Sequence, residues 1–230
     1  MRRMRLPIER WLAVGAVATM AASGQAAPPT PGLERVQIVA EAMCCKGCAR
    51  KVSGQLYAAR GVRDVGVEMS THTITVSLPS PNATTLGQLW EAVEKGEGGP
   101  TKLVTAEATY SLVRADAEGG SLPEPSTQPP TIVIDNLHCK GCAKKIAAQL
   151  YAVKGVTKVS VDLERETLYV ESRPNMTPSP WRLIGAVRNA RERPLAVSGP
   201  YGTLAIEWAT KPAPKHHQQA QQTNSGGIQR

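Results

Sequence analysis

The sequence predicts an α+β fold made of two successive βαββαβ modules joined by a Pro/Gly-rich linker. Three observations carry this. First, the chain repeats itself at an offset of 94 residues, which lays Cys45 and Cys48 on Cys139 and Cys142. Lys46, Gly47, Ala49, Lys51, Gln55, Leu56, Tyr57, Gly61, Val62, Val65 and Val67 also meet identical residues at that offset. Second, each copy alternates between runs with a two-residue apolar period and runs with helical spacing. Third, the first helical run of each copy stops at a glycine, Gly61 or Gly155.

The elements follow in order. "VQIVAEAM" and "TIVIDNL" are β-branched and read as opening strands. The next run in each copy is a helix, with Ala49, Val52, Leu56 and Ala59 in one and Ala143, Ile146, Leu150 and Val153 in the other at helical spacing. Two strands come next, "VRDVGVEM" and "THTITVSL" in the first copy, "VTKVSVDL" and "ETLYVES" in the second. "TTLGQLWEAVEKG" and "SPWRLIGAVRNAR" supply second helices. A last strand closes each copy, "TKLVTAEATYSLV" and the less regular "LAVSGPYGTLAIEW", interrupted at "SGPYG". This order is the split βαβ of ferredoxin-like folds, with both helices on one face of an antiparallel sheet. Leu56, Tyr57, Val65, Val67, Ile74, Trp90 and Val93 are expected in the core.

The expected organisation is a signal peptide over 1–27, modules over 33–113 and 131–209, a linker over 114–130 and a disordered tail over 210–230. The first segment has a basic start, an apolar stretch and small residues at Ala26 and Ala27, as secretory signals do. Its apolar run is too short for a membrane span, no later segment is apolar enough, and no Cys stands near the cleavage site to take a lipid. A secreted or periplasmic protein without stable membrane insertion is expected. The net charge of +8 is spread over 230 residues with only 4% aromatics, which gives no basis for nucleic-acid binding. It does favour acidic partners.

The cysteines carry the chemistry. Each CxxC falls where a strand gives way to a helix, where unpaired N–H groups and the helix dipole favour a thiolate. Lys46 and Lys51, or Lys140 and Lys145, add positive field, and both effects lower a thiol pKa. Gly47 and Gly141 are expected to let the loop turn between the sulfurs. Two thiolates suit a soft ion of low coordination number, Cu(I) above all. A zinc ribbon is a poor fit, since its pairs stand about 15–20 residues apart within one unit. The rival readings are a thiol–disulfide oxidoreductase and an interaction module that uses no metal.

Both copies resemble the heavy-metal-associated domain of copper chaperones, of copper-ATPase N-terminal modules and of the periplasmic mercury-binding protein. The residues that carry the likeness are Met43-Cys44-Cys45-Lys46-Gly47-Cys48 with Gly61, Val62, Val65 and Val67, and Leu137-His138-Cys139-Lys140-Gly141-Cys142 with Gly155, Val156, Val159 and Val161. The resemblance implies a non-enzyme that binds one soft ion at Cys45 and Cys48 and another at Cys139 and Cys142, with handover by ligand exchange. It also implies that Met43 and Leu137 pack beneath the loop, and that a basic residue such as Lys95, Lys102, Arg191 or Arg193 approaches the ion. Cu(I) is the first choice, with Hg(II) and Zn(II) as the other ions.

Cys44 and His138 stand just before the pairs and are accessory-ligand candidates, although strand alternation should point them away into solvent. A flexible linker reaches roughly 20–25 Å, so the modules could meet and share one ion through four sulfurs, the case that would admit zinc. The partner expected is a metal donor or acceptor protein with an acidic face opposite Arg50, Lys51, Lys144 and Lys145. His72 and the pair His216-His217 are read as having no role. Nothing in the sequence sets an oligomeric state.

Overall fold

A computed structural model of the chain describes residues 32–114 and 129–209. The signal-like segment, all but the ends of the linker, and the tail with His216 and His217 lie outside the described residues. In the first module the elements are β1 (Glu34–Ala40), α1 (Lys46–Ala58), β2 (Asp64–Glu68), β3 (Thr73–Leu78), α2 (Ala83–Lys95), β4 (Pro100–Val104) and β5 (Ala108–Val113). The second repeats them as β6 (Thr131–Ile134), α3 (Lys140–Tyr151), β7 (Val156–Asp162), β8 (Thr167–Ser172), α4 (Pro180–Asn189), β9 (Pro194–Gly199) and β10 (Gly202–Trp208).

Each core lies between sheet and helices, as the two periods require. Val36, Ile38 and Ala40 of β1 and Ile74, Val76 and Leu78 of β3 are buried, facing Val52 and Leu56 of α1 and Leu86, Leu89 and Val93 of α2. Tyr57, expected in the core, is 54% exposed because it stands one position round the helix from Leu56. Its hydroxyl accepts the Val65 N–H at the start of β2, and Tyr151 does the same for Val159, so the tyrosine ties helix to strand in both copies. Val65 and Val67 are half-buried.

The closing strand of each copy is a hairpin, not the single strand expected. Thr105 breaks the first one: its hydroxyl accepts the N–H groups of Glu107 and Ala108 and donates to the Ala108 carbonyl, the local competition that turns a strand. In the second copy Gly199 occupies the equivalent position, and the "SGPYG" that looked like an interruption is the matching turn, with Gly202 at φ +99°. A period-2 run with no Pro or Asn-Gly gave no sign of the first turn.

The extra strands fuse the modules. The ten strands among the described residues form one sheet in the order β2-β3-β1-β4-β5-β10-β9-β6-β8-β7. At the seam Tyr110 pairs with Ile206, Ser111 with Ala205 and Leu112 with Leu204. Residues 94 apart therefore face each other at Ser111 and Ala205, and the pairs on either side exchange roles. This is the self-complementary register of a two-fold axis, built here within one chain. Beneath the seam α2 packs on α4, and Trp181 covers Gly87, its own counterpart in the repeat; a Cβ on Gly87 would lie 2.7 Å from Trp181 Cβ. The Trp181 ring lies 5.6 Å from that of Trp90 and 5.0 Å from that of Tyr110, in tilted contacts. At the rim Arg188 donates to Glu107 at 2.6 Å.

The seam decides where the functional loops go. From β1 to β6 the sheet passes through five antiparallel pairings, so these strands run in opposite directions. The loops that follow them open at opposite ends of the sheet, with a lateral offset alone of about 24 Å. The expectation that the modules meet and share one ion through four sulfurs fails on this geometry, and with it the four-sulfur route to zinc.

Candidate metal centre

Cys45 is the residue that caps α1, in the place usually taken by Ser, Thr, Asp or Asn. Its extended backbone (φ −151°, ψ 164°) turns Sγ over the helix start, where it accepts the N–H of Cys48 at 3.4 Å. Cys139 caps α3 in the same way and accepts the Cys142 N–H at 2.9 Å. A cap ordinarily satisfies one orphan donor; a sulfur cap also holds a thiolate at the positive end of the dipole.

The Cys45 pKa is lowered to about 7, first by the Cys48 N–H, then by the Cys48 thiol and the Gly47 N–H. The Cys44 pKa is raised, chiefly by its interaction with Cys48. Because folding lowers the Cys45 value, the folded state favours its thiolate. The resulting stabilisation is present above the ordinary thiol pKa and is lost as pH falls through about 7. In the reduced protein, alkylation of Cys45 followed by mass spectrometry is expected to be half-maximal near pH 7, with Cys44 reacting only at higher pH. Equal labelling of the two at pH 7 would refute the assignment.

The glycine between the sulfurs has a different role from the one expected. Gly47 and Gly141 lie in the first helical turn without positive φ, so no turn requires them. What Gly47 leaves is a bare flank beside the sulfur: a Cβ there would sit in van der Waals contact with Cys45 Sγ, at 3.6 Å. Met43 and Leu137 are buried beneath the loops at 0% and 1% exposure.

The first site gathers three sulfurs. Cys45 Sγ lies 3.1 Å and Cys44 Sγ 3.7 Å from Cys48 Sγ. All three lie within 4.8 Å of one another, the one such cluster of metal-binding side chains among the described residues. The expectation that Cys44 points away fails because β1 ends at Ala40, four residues earlier; strand alternation no longer governs position 44. His72, read as having no role, holds this loop. Its Nδ1 donates to the Met43 carbonyl at 2.9 Å, from a backbone position at φ +51°. A lone His at a strand start carried no signal for this contact.

The second site differs. Cys139 and Cys142 are joined as a disulfide. His138 turns back on its own loop, with Nδ1 donating to the Asn136 carbonyl and lying 3.0 Å from Asn136 Oδ1. The charges differ too. Lys51 donates to Glu97 at 3.0 Å, and its pKa is raised by Glu97 first and by the thiols of Cys48 and Cys45 after it. The position equivalent to Glu97 is Arg191, with a matching φ of +64° against +61°. Thus the residue that the end of α2 brings towards the first site is an acid held by Lys51, whereas Lys95 lies along the α1–α2 groove with Gln55 and Arg60. Arg193 stacks over Trp208 at 5.2 Å.

The profile of the heavy-metal-associated domain matches residues 38–99 and 131–191, more than half of the chain. A copper-exporting P-type ATPase of Bacillus subtilis is 26% identical over 132 residues, covering 57% of this chain and 13% of the ATPase. The heavy metal-associated isoprenylated plant protein 5 of Arabidopsis thaliana is 24% identical over 139 residues, covering 56% of this chain and 36% of that protein. The chain thus spans about an eighth of one relative and about a third of the other. Among solved structures, the water-soluble region of the Bacillus subtilis P-type ATPase CopA aligns at 20% identity and a TM-score of 0.31, covering 70% of this chain and 89% of that one. With two matched regions, each containing a sulfur-capped helix, this chain belongs to the heavy-metal-associated domain family.

Proposed function

We propose that this chain is a non-catalytic carrier that captures, buffers or hands on a soft heavy-metal ion, Cu(I) foremost, outside the cytoplasm. The observation that carries the reading is the placement of Cys45 and Cys48 sulfurs 3.1 Å apart at the start of α1, with one thiol already biased towards its thiolate. Family membership supports a metal cargo, and soft thiolates select Cu(I) among first-row ions. Handover proceeds by ligand exchange, in which a partner thiolate joins the ion before a carrier sulfur leaves. Arg50, Lys51, Lys144 and Lys145 near the helix starts give an acidic docking face on the partner its basic complement. The extracytoplasmic placement rests on the signal-like residues 1–27 alone.

The disulfide between Cys139 and Cys142 favours a second reading, thiol–disulfide exchange at that pair. One experiment separates them. The reduced mature protein is titrated with Cu(I) against a coloured competing chelator, without oxygen. Two equivalents taken from the chelator are the expected result. No uptake, together with turnover of a dithiol substrate, would replace the carrier with an oxidoreductase.

A further inference from the structure

The two copies differ in chemistry at the position just before each CxxC, Cys44 in one and His138 in the other. We infer that the first module carries a three-sulfur site, formed by Cys44, Cys45 and Cys48, for an ion that takes three thiolates in a pyramid, and that the second module lacks one. The inference rests on the reading of the first pair as a metal site and narrows the class of ion it prefers.

The sulfur spacings favour three ligands over two. With metal–sulfur bonds of about 2.3 Å, two sulfurs in line across an ion stand about 4.6 Å apart, and three in a plane about 4 Å apart. The observed 3.1 Å between Cys45 and Cys48 and 3.7 Å between Cys44 and Cys48 are shorter than either. At that bond length they subtend about 85° and about 107° at the ion, both below the 120° of a flat three-sulfur site. A linear ion would have to spread Cys45 and Cys48 by about 1.5 Å. Cys45 Sγ is placed as the helix cap and Cys48 in the first turn, so the fold sets the pair at this short spacing. The third sulfur is held as well: Met43 is buried at 0% exposure and its carbonyl is clasped by His72, which fixes the backbone from which Cys44 projects. In the second module the equivalent residue is His138, whose ring is engaged with Asn136.

Trivalent arsenic is the ion class that tests for three sulfurs. Arsenite, As(OH)3, reacts with three thiols to give As(SR)3 and three waters. Each As–S bond formed releases one hydroxide, which leaves as water with the thiol proton. Arsenic stays trivalent throughout, so neither oxidant nor reductant is needed. A lone CxxC satisfies only two of the three positions.

The test uses the full reduced chain, titrated with arsenite and separately with Cu(I), with thiol alkylation read by mass spectrometry. The wild-type protein should bind one arsenite and lose alkylation at Cys44, Cys45 and Cys48 together. Cys44→Ser should bind none, while Cys139 and Cys142 of the same variant still take up their equivalent of Cu(I), which shows that it is folded; Cys44 is exposed, so the fold does not depend on it. Cys142→Ser should still bind one arsenite. The inference is overturned if Cys44→Ser binds arsenite as the wild type does, or if Cys44 stays alkylatable in the arsenite-loaded chain. It is also overturned if Cys142→Ser abolishes binding. Failure of Cu(I) uptake by the wild type would count separately, against the carrier reading.

Discussion

Replacing Trp181 with alanine is expected to destabilise the chain by about 3–5 kcal/mol, the range for emptying a buried large aromatic site. Trp181 is 3% exposed and belongs to α4 of the second module, yet the partners named for its ring, Trp90 and Tyr110, belong to the first. Its Cβ sits where Gly87 leaves no side chain. The loss therefore falls on the seam rather than within either core. Thermal unfolding should change from one cooperative transition to two, as each module loses its hold on the other. Trp181→Phe is the control. The indole N–H has no hydrogen-bond partner among the described residues, so phenylalanine gives up volume but no bond. It should cost less than alanine and keep a single transition. Two transitions in the wild type would mean that the β5–β10 ladder does not couple the modules.

The seam was also the least legible feature of the sequence. The repeat exposed both modules, because residues that make strands, helices and sulfur caps recur at a fixed offset. A seam of this kind does the reverse. It is built from residues that differ between copies: Trp181 against Gly87, Tyr110 against Leu204, Glu107 against Tyr201. Matching the copies therefore draws attention away from the very positions that join them. The fifth strands were hidden for a different reason. Thr105 turns the chain by side-chain hydrogen bonds to its own neighbours, and threonine is equally at home in a strand.

At the candidate metal centre, the placement of both CxxC pairs at helix starts was legible from spacing and from their position before a helical run. Cys44 was named as an accessory candidate, but its approach to the pair was not legible, since strand alternation was carried past the end of β1. His72 was invisible because its role is a single contact with a backbone carbonyl 29 residues away in the chain. Long-range contacts to main-chain atoms leave no pattern in side-chain identity.

The rigid seam leads to the second large effect. Cys45→Ser should reduce Cu(I) capacity from two equivalents to one, with affinity at the lost site down by more than about 100-fold, the upper end of what changes outside the ligand set cost. Cys139→Ser should do the same at the other site. The affinity of the surviving site should stay within a factor of about two in both variants, since sites with no shared partner add independently. The reason is the position of the loops, at opposite ends of a ten-stranded sheet and at least about 24 Å apart. An ion held by two sulfurs at one end cannot recruit a third from the other without parting β5 from β10. Transfer between the two sites would then need a second molecule, so its rate should rise with protein concentration. Loading of one site from the other at a rate independent of concentration would require the seam to open, and Trp181→Ala is the variant in which such transfer should first appear.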